Sequence, residues 1–516
     1  MAQIILTNIQ KEISGQKLFT IKHLQARQAA RIGIVGKNGG GKTTLLRMLT
    51  GKDTDYDGEI DLTGSCYLVP QLKENTTQSG GEQVRAYLNQ ALKARPEILL
   101  LDEPSANLDR ANQEWLINKL KRYPGIIVFV THDRHLLTEL ATSIWEIENQ
   151  VYTEYPVNYQ TYLEQKEKYI EKKEQAFVQY TQEKKKLEAE IQKRKIKADR
   201  MRKPPKGMSS SEARAMSLVG NFDGKQRKMA ATAKSLEHRK ESLSEVEKVK
   251  KAKTIQLVDQ GLPQFNGKTI MRITALDLKV ADRLLLKNAT FHWSDGERLA
   301  LIGPNRSGKT TLIKKLLAND SPEIYVSEKA KIGYFSQDFQ TIEMQKTIFD
   351  NAKQFSTQPD QVIFDILGAM GFRQEKVLQL ADSLSGGERV RLGLVQILVS
   401  DSNVLILDEP TNYLDIQALE ALERFLNAYQ GGVLIVSHDK AFIDQVATRE
   451  LVIQSKELLD TTKLNHSSAE TAELESKLQL LTMRKNEWIA DMEIPIEKIQ
   501  QINQEIAEVK KQLDER

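Results

Sequence analysis

The hydrophobic pattern of this chain changes period several times along its length. Two short unbroken apolar runs, Arg31-Ile32-Gly33-Ile34-Val35 and Arg298-Leu299-Ala300-Leu301-Ile302, predict strands buried on both faces, as a parallel sheet requires. Each runs into a glycine-rich stretch, and in the first copy a helical period opens at Leu45. Further apolar runs at 97–101 and 403–407, and at 125–130 and Gly432–Val436, recur in the same order. Shorter strands are expected at Cys66–Val69 and 331–335. The chain therefore holds two copies of one α/β unit, an internal repeat.

Between the copies the period becomes that of a coiled coil. Leu163, Ile170, Phe177, Tyr180, Leu187 and Ile191 form one a/d stripe, and Met229, Ala233, Leu236, Leu243 and Val246 form a second. Lys203-Pro204-Pro205-Lys206-Gly207 and Ser209-Ser210-Ser211 interrupt them, and no helix continues through two prolines and a glycine. The pattern predicts an antiparallel helical hairpin with its tip near 201–224. Its arms would be roughly 28–42 residues and 40–60 Å long at 1.5 Å per residue. A last helical pattern places Leu474, Leu478, Leu481 and Trp488 before Pro495, and Ile499, Ile502, Ile506, Val509 and Leu513 after it. It predicts a short C-terminal helical hairpin.

Charge changes the picture of the central hairpin. From Glu164 to Lys253, Lys and Arg outnumber Asp and Glu by 26 to 14, a surplus of 12 in a chain of net charge +4, which leaves the remainder near −8. The excess is densest at Lys193, Arg194, Lys195, Lys197, Arg200, Arg202, Lys203 and Lys206. An ordinary solvated coiled coil mixes the two signs; a surplus this one-sided favours a polyanionic partner. The single cysteine, Cys66, excludes an intrachain disulfide and a cysteine metal cluster, and reads as a small core residue in a protein of a reducing compartment. No run of about 18 apolar residues is present, so no membrane helix is expected. Met1-Ala2-Gln3-Ile4-Ile5-Leu6 lacks the basic start of a secretory signal, and a cytoplasmic location is the expectation.

The chemistry lies at the ends of the apolar runs. Gly36-Lys37-Asn38-Gly39-Gly40-Gly41-Lys42-Thr43-Thr44 and Gly303-Pro304-Asn305-Arg306-Ser307-Gly308-Lys309-Thr310-Thr311 both match G-x-x-x-x-G-K-[ST], each with a strand before it. Such loops curl successive backbone N–H groups around phosphates at a helix N-terminus. Lys42 and Lys309 would hold the β- and γ-phosphates, and Thr43 and Thr310 would ligate Mg²⁺. The second run of each copy ends in Asp102-Glu103-Pro104 or Asp408-Glu409-Pro410. Asp102 and Asp408 would hold the metal or its water, while Glu103 and Glu409 would polarise the attacking water. The third run leads to His132 or His438, assigned to the γ-phosphate, and Gln71 and Gln337 would sense metal and water. Ser79-Gly80-Gly81-Glu82 and Ser385-Gly386-Gly387-Glu388 each open a helical pattern, and so offer a helix N-terminus to an anion.

Together these residues resemble the ATP-binding-cassette ATPases over nearly all of 1–155 and 268–455. The doubled cassette, the lack of membrane segments and the basic linker, opening with Tyr155, Tyr159, Tyr162, Gln165 and Lys166, are similar to the ABC-F subfamily. Gln71 to Ser79 spans 8 residues and Gln337 to Ser385 spans 48, so copy one lacks the small helical subdomain that copy two keeps. This and the long tip resemble the Vga-type antibiotic-resistance members.

The resemblance implies a tandem of two P-loop cassettes, 1–157 and 257–460, a hairpin linker at 158–256 and a C-terminal extension at 461–516. It implies an ATP hydrolase using ATP and Mg²⁺, and a monomer whose cassettes pair head to tail. Each nucleotide would then lie between one P-loop and the other copy's Ser-Gly-Gly-Glu. It further implies binding at the ribosomal exit site, with the linker reaching large-subunit rRNA and the P-site tRNA, and protection against lincosamides, pleuromutilins and streptogramin A. No membrane and no DNA partner is expected. At the tip, Met216, Leu218, Val219 and Phe222 either pack the loop on itself or touch rRNA or the drug site.

Four departures from the family pattern predict unequal sites. Arg306 stands where Gly39 stands in copy one, and Gln78 replaces a leucine. Ser105-Ala106-Asn107 stands opposite Thr411-Asn412-Tyr413. Ile13 and Val280 occupy the place of the aromatic that stacks on adenine. A housekeeping ABC-F translation factor, an efflux-transporter ATPase subunit and a DNA-repair cassette protein are the alternative readings.

Overall fold

A computed structural model describes residues 2–70, 80–106, 108–202, 221–243, 265, 269–336, 341–372, 374–412 and 414–461. Gln71, Ser79, Gln337, the tip residues Met216, Leu218 and Val219, and the C-terminal pattern lie outside these. The side chains of Gly80, Gly81, Glu82 and Phe222 do as well.

The first copy contains β1 (Gln3–Ile13), β2 (Gln16–Arg27), β3 (Arg31–Gly36), α1 (Lys42–Leu49), β4 (Asp57–Thr63), β5 (Cys66–Val69) and α2 (Gly80–Ala94). It continues with β6 (Ile98–Asp102), α3 (Arg110–Lys121), β7 (Ile126–Val130), α4 (Arg134–Leu140), β8 (Ser143–Glu148) and β9 (Val151–Tyr155). One sheet runs β4-β1-β2-β9-β8-β3-β7-β6-β5. Its parallel centre, β3 flanked by β7 and β8 and with β6 beyond β7, is completely buried along β6 and β7. That burial on both faces is why these strands read as unbroken apolar runs. Cys66 is half-buried against this core, and burial pushes its thiol up to about 11.

Contacts separate the chain into two compact units, Val157–Ala252 and the remainder. The smaller unit contains α5 (Tyr159–Arg202) and α6 (Asn221–Glu241). α5 has 44 residues, slightly more than the stripe predicts, and is about 66 Å long. Glu183 pairs with Arg239, Glu188 with Lys240 and Lys195 with Glu237, so the two helices lie side by side. Leu187, Ile191 and Ala233 are buried in the seam, and Ile170, Phe177, Tyr180 and Leu236 are half-buried. Leu163 departs from the expected stripe: it is 37% exposed, and Tyr159 and Tyr162 are buried instead. Among the described residues, the inter-arm ion pairs at Glu183, Glu188 and Lys195 start twenty residues beyond Leu163.

The second copy repeats the first with β10 (Thr269–Val280), β11 (Arg283–Ser294), β12 (Arg298–Ile302), α7 (Lys309–Ala318), β13 (Ile324–Val326) and β14 (Ile332–Phe335). Then come α8 (Ile348–Lys353), α9 (Asp360–Ala369), α10 (Gln374–Val377), α11 (Gly386–Leu398), β15 (Val404–Asp408) and α12 (Ile416–Ala428). It closes with β16 (Gly432–Val436), α13 (Lys440–Val446), β17 (Arg449–Gln454) and β18 (Glu457–Asp460). Its sheet order β14-β15-β16-β12-β17-β18 matches the parallel centre of copy one strand for strand, while β11-β10-β13 form a separate sheet. Helices α8 to α10 occupy the segment that copy one lacks. Ile348, Ile363, Ile366, Leu367, Met370 and Phe372 bury them against α11 and the sheet.

Candidate functional site

In both copies the glycine-rich loop, the Asp-Glu pair and the histidine leave the C-terminal ends of adjacent parallel strands, the crevice in which open α/β sheets bind ligands. Gly41 and Gly308 cap α1 and α7 at φ 95° and 105°. A Cβ on Gly41 would lie 2.6 Å from the Phe19 ring, so only glycine lets the loop close against β2. The Lys42 ammonium donates to the carbonyls of Gly36 (2.6 Å) and Lys37 (3.1 Å), and Lys309 to those of Gly303 (2.8 Å) and Pro304 (3.2 Å). Burial lowers the pKa of both lysines.

Thr310 Oγ1 donates to Asp408 Oδ2 at 2.7 Å, and Thr43 bonds Asp102 in the same way. Burial raises both aspartates above the usual carboxylate range. A hydroxyl beside a carboxylate is a hard oxygen pair of the kind Mg²⁺ accepts, with phosphate oxygens and water completing its shell. No group of three or more His, Cys, Asp or Glu fit for a metal exists among the described residues.

Glu103 and Glu409 adopt left-handed backbone at φ 49° and 52°. Each is pinned there by its N–H, which bonds the carbonyl of Val130 (2.9 Å) or Val436 (2.8 Å). Non-glycine residues so placed store strain of order 1–3 kcal/mol, a feature that clusters at functional sites. His438 Nε2 lies 3.2 Å from Glu409 Oε1, and His132 Nε2 lies 3.5 Å from Glu103 Oε1 and 3.0 Å from Asn38 Oδ1. Burial lowers His438 to about 4 and His132 well below its ordinary value, so both rings are neutral near pH 7. Burial, offset in part by Lys42, pushes the Glu103 carboxyl up to about 8.

The cassettes meet head to tail. A cavity of about 660 Å³ brings Asn38, Gly39, Gly41, Lys42, Thr43, Thr44, Asp102, Glu103 and His132 together with Ser385, Gly387 and Glu388 of the other copy. Gly36, Lys37, Gly40 and Gly386 do not line it. Glu388 accepts from Ser385 N (3.0 Å) and Oγ (2.8 Å) in a capping box, and pairs with Lys376. Its carboxylate thus holds the start of α11. A second cavity of about 390 Å³ is lined by Asn305, Arg306, Gly308, Lys309, Thr310, Thr311, Asp408 and Glu409, with Val280, Arg283 and Leu285. Gly303, Pro304 and Ser307 do not line it.

Sequence reasoning missed the residues that join the copies. Asp109 caps α3 with one oxygen, and its other accepts from Asn305 N of the opposite loop at 3.2 Å. Asp415 caps α12 and accepts from Asn38 N at 3.1 Å. Each lies seven residues after the strand-end aspartate, and this repeated spacing is the signal that could have found them. Arg134 pairs with Glu423 across the copies at 2.8 Å, and the repeat places Lys440 and Ile117 at the mirror positions. Arg391 follows Ser385 by six residues, is buried and reaches the first cavity. At the first position of the Ser105-Ala106-Asn107 departure, the two copies keep one contact in common. Ser105 bonds Thr131 at 3.2 Å and Thr411 bonds Ser437 at 3.1 Å, so the hydroxyl bridge survives with its residue types exchanged.

A family model described as "ABC transporter" matches residues 20–75 and 286–412. The ribosome protection protein VmlR of Bacillus subtilis (strain 168) is 31% identical over 527 aligned positions, covering 93% of this chain and 92% of VmlR. The chain belongs to the ABC-F family of ATP-binding-cassette ATPases. This ABC-F protein binds and hydrolyses ATP. The ATP-binding protein Uup of Buchnera aphidicola subsp. Acyrthosiphon pisum (strain APS) is 28% identical, covering 100% of this ABC-F chain and 93% of Uup. The archaeal ribosome recycling factor aABCE1, solved with the stalk protein aP1, shares the fold. Its TM-score is 0.57 at 16% identity, over 90% of this chain and 92% of that one. Among the described residues, no helix of this ABC-F ATPase is long and apolar enough to cross a membrane.

Proposed function

We propose that this ABC-F ATPase protects ribosomes from antibiotics. In this reading it binds the exit site with ATP bound, and its basic hairpin reaches large-subunit rRNA and the P-site tRNA. Lincosamides, pleuromutilins and streptogramin A are thereby displaced from the peptidyl transferase centre. The observation that carries the reading is the alignment with VmlR, which runs through both cassettes and the hairpin and nearly spans both proteins. The hairpin's surplus of 12 positive charges supports an RNA partner.

In the proposed cycle the two loops, ending in Lys42-Thr43-Thr44 and Lys309-Thr310-Thr311, hold the phosphates. Thr43 with Asp102, and Thr310 with Asp408, hold Mg²⁺, joined by Gln71 and Gln337. Glu103 and Glu409 polarise the attacking water, and His132 and His438, neutral at pH 7, face the γ-phosphate. Nucleotide favours the paired form, and hydrolysis loosens it and permits release, so two ligand sites bias one two-state element. The proposed setting is the cytoplasm.

Glu103→Gln combined with Glu409→Gln should trap the protein on 50S-containing particles when ATP is present. Recovery of that variant in the ribosome-free fraction of a sucrose gradient would reject ribosome binding. The full-length similarity to Uup favours a second reading, a general translation factor. Unchanged lincosamide and pleuromutilin susceptibility on deleting the gene would select it.

A further inference from the structure

The two cavities differ in charge in a way the shared motifs do not require. Among the described residues lining the first, Lys42 and Arg391 face six acidic side chains, Asp102, Glu103, Asp133, Glu388, Glu409 and Asp439, of which Glu103 holds its proton near pH 7. Among those lining the second, Arg283, Arg306 and Lys309 stand with Asp408 and Glu409, and Asp109 reaches the same loop through Asn305 N. Among the described residues, the second cavity thus presents more cations and fewer carboxyl groups than the first.

Two of those three cations have no counterpart in copy one. Arg306 takes the place of Gly39 and keeps its left-handed backbone, φ 63° against 76°. A Cβ on Gly39 meets nothing within 4 Å, so packing admits the side chain while the backbone remains strained. Arg283 sits at the start of β11, opposite Val280, as Gln16 sits opposite Ile13. Arg283 and Leu285 are two residues apart on one strand and share a face. Leu285 Cβ would lie 3.2 Å from a Cβ on Gly308, which fixes this face against the phosphate loop. Val280, opposite Arg283 and also lining the cavity, holds the place where the cassette pattern has a ring for the base. A guanidinium is planar and stacks on a purine as a ring does, but carries charge.

We propose that Arg283 and Arg306 make the second site the tighter and more salt-sensitive of the two. The Arg283 guanidinium serves as its base platform, and Arg306 as an added cation for the phosphates. The proposal rests on reading both cavities as nucleotide sites. Stacking on a guanidinium does not read the purine edge, so this site should treat ATP and GTP alike.

Fluorescent ATP and GTP analogues, titrated without ribosomes, test it in full-length protein. Lys42→Met isolates the second site and Lys309→Met the first. The second site should bind at least about tenfold tighter at low salt, and the gap should narrow to about threefold near 0.5 M salt. Arg283→Gln and Arg306→Gly should each weaken it by about threefold to tenfold, equally for both purines. In the Lys309→Met background both should be silent. Inorganic tripolyphosphate, which has no base, should lose affinity with Arg306→Gly and not with Arg283→Gln. Equal affinities of the two isolated sites, or substitutions that leave the second unchanged, overturn the proposal and leave the site assignment standing. A second site that binds no nucleotide overturns both.

Discussion

Asp415→Asn separates a helix cap from a contact between cassettes. The carboxylate accepts two N–H bonds, from Ala418 at 2.9 Å within α12 and from Asn38 at 3.1 Å across the interface. An asparagine has one acceptor oxygen, so whichever way its amide turns it keeps only one of them. The Ala418 N–H is the more deeply buried donor and is the costlier to abandon, so the oxygen stays with the cap. Asparagine caps as well as aspartate, and thermal stability should move by less than about 0.5 kcal/mol. The lost interface bond is to a charged group, worth about 1.5–3 kcal/mol. The carboxylate's attraction for Lys42 goes with it. Single-turnover hydrolysis at the first site, measured in a Glu409→Gln background, should therefore fall about 10- to 150-fold. Asp109→Asn should do the same to the second site. Wild-type turnover in Asp415→Asn refutes a working role for the contact. A large drop in melting temperature instead assigns the residue to the helix alone.

With Glu409→Gln isolating the first site, turnover should rise as pH passes through about 8, because Glu103 must lose its proton to act as a base. Between about 4.5 and 8 the folded chain keeps a proton that the unfolded chain has released, so this group lowers stability as pH rises through that window. Glu103→Gln should flatten that slope in thermal melts, and an unaltered slope would count against the raised value. Glu423→Ala removes the ion-pair partner of Arg134, whose Nη2 has no hydrogen-bond partner among the described residues, and should cost about 3 kcal/mol. Arg134→Met with Glu423→Leu should recover most of that in a denaturant titration, and a double variant no better than the single one would show the pair is not the cause. Deleting residues 213–222 should abolish drug protection in cell-free translation and spare ATP hydrolysis; full protection would dismiss the tip.

The features legible in the sequence were those carried by neighbouring residues. Lys42 and Lys309 announce themselves through four or five flanking positions, and β6 and β15 through unbroken apolar runs that end in Asp-Glu. The coiled-coil period identifies α5, but a period alone does not fix which of its positions are covered, and Leu163 lies exposed where a seam residue was expected. Asp109 and Asp415 stayed hidden for another reason. Locally each is an ordinary N-cap, and its second function exists only once the other copy is folded against it. The charge contrast between the two cavities is hidden in the same way, because Glu409 and Asp439 join the wall of the first only through pairing.

The left-handed turn at Glu103 and Glu409 bears on how this molecule can change over generations. Glycine adopts that turn freely and would relieve about 1–2 kcal/mol at each position. A library selected purely for heat resistance should therefore drift toward glycine at 103 and 409. Its survivors would outlast the parent on warming and be unable to reset after a single embrace of their nucleotide. The wild-type backbone is kept in its less comfortable shape by the need for turnover.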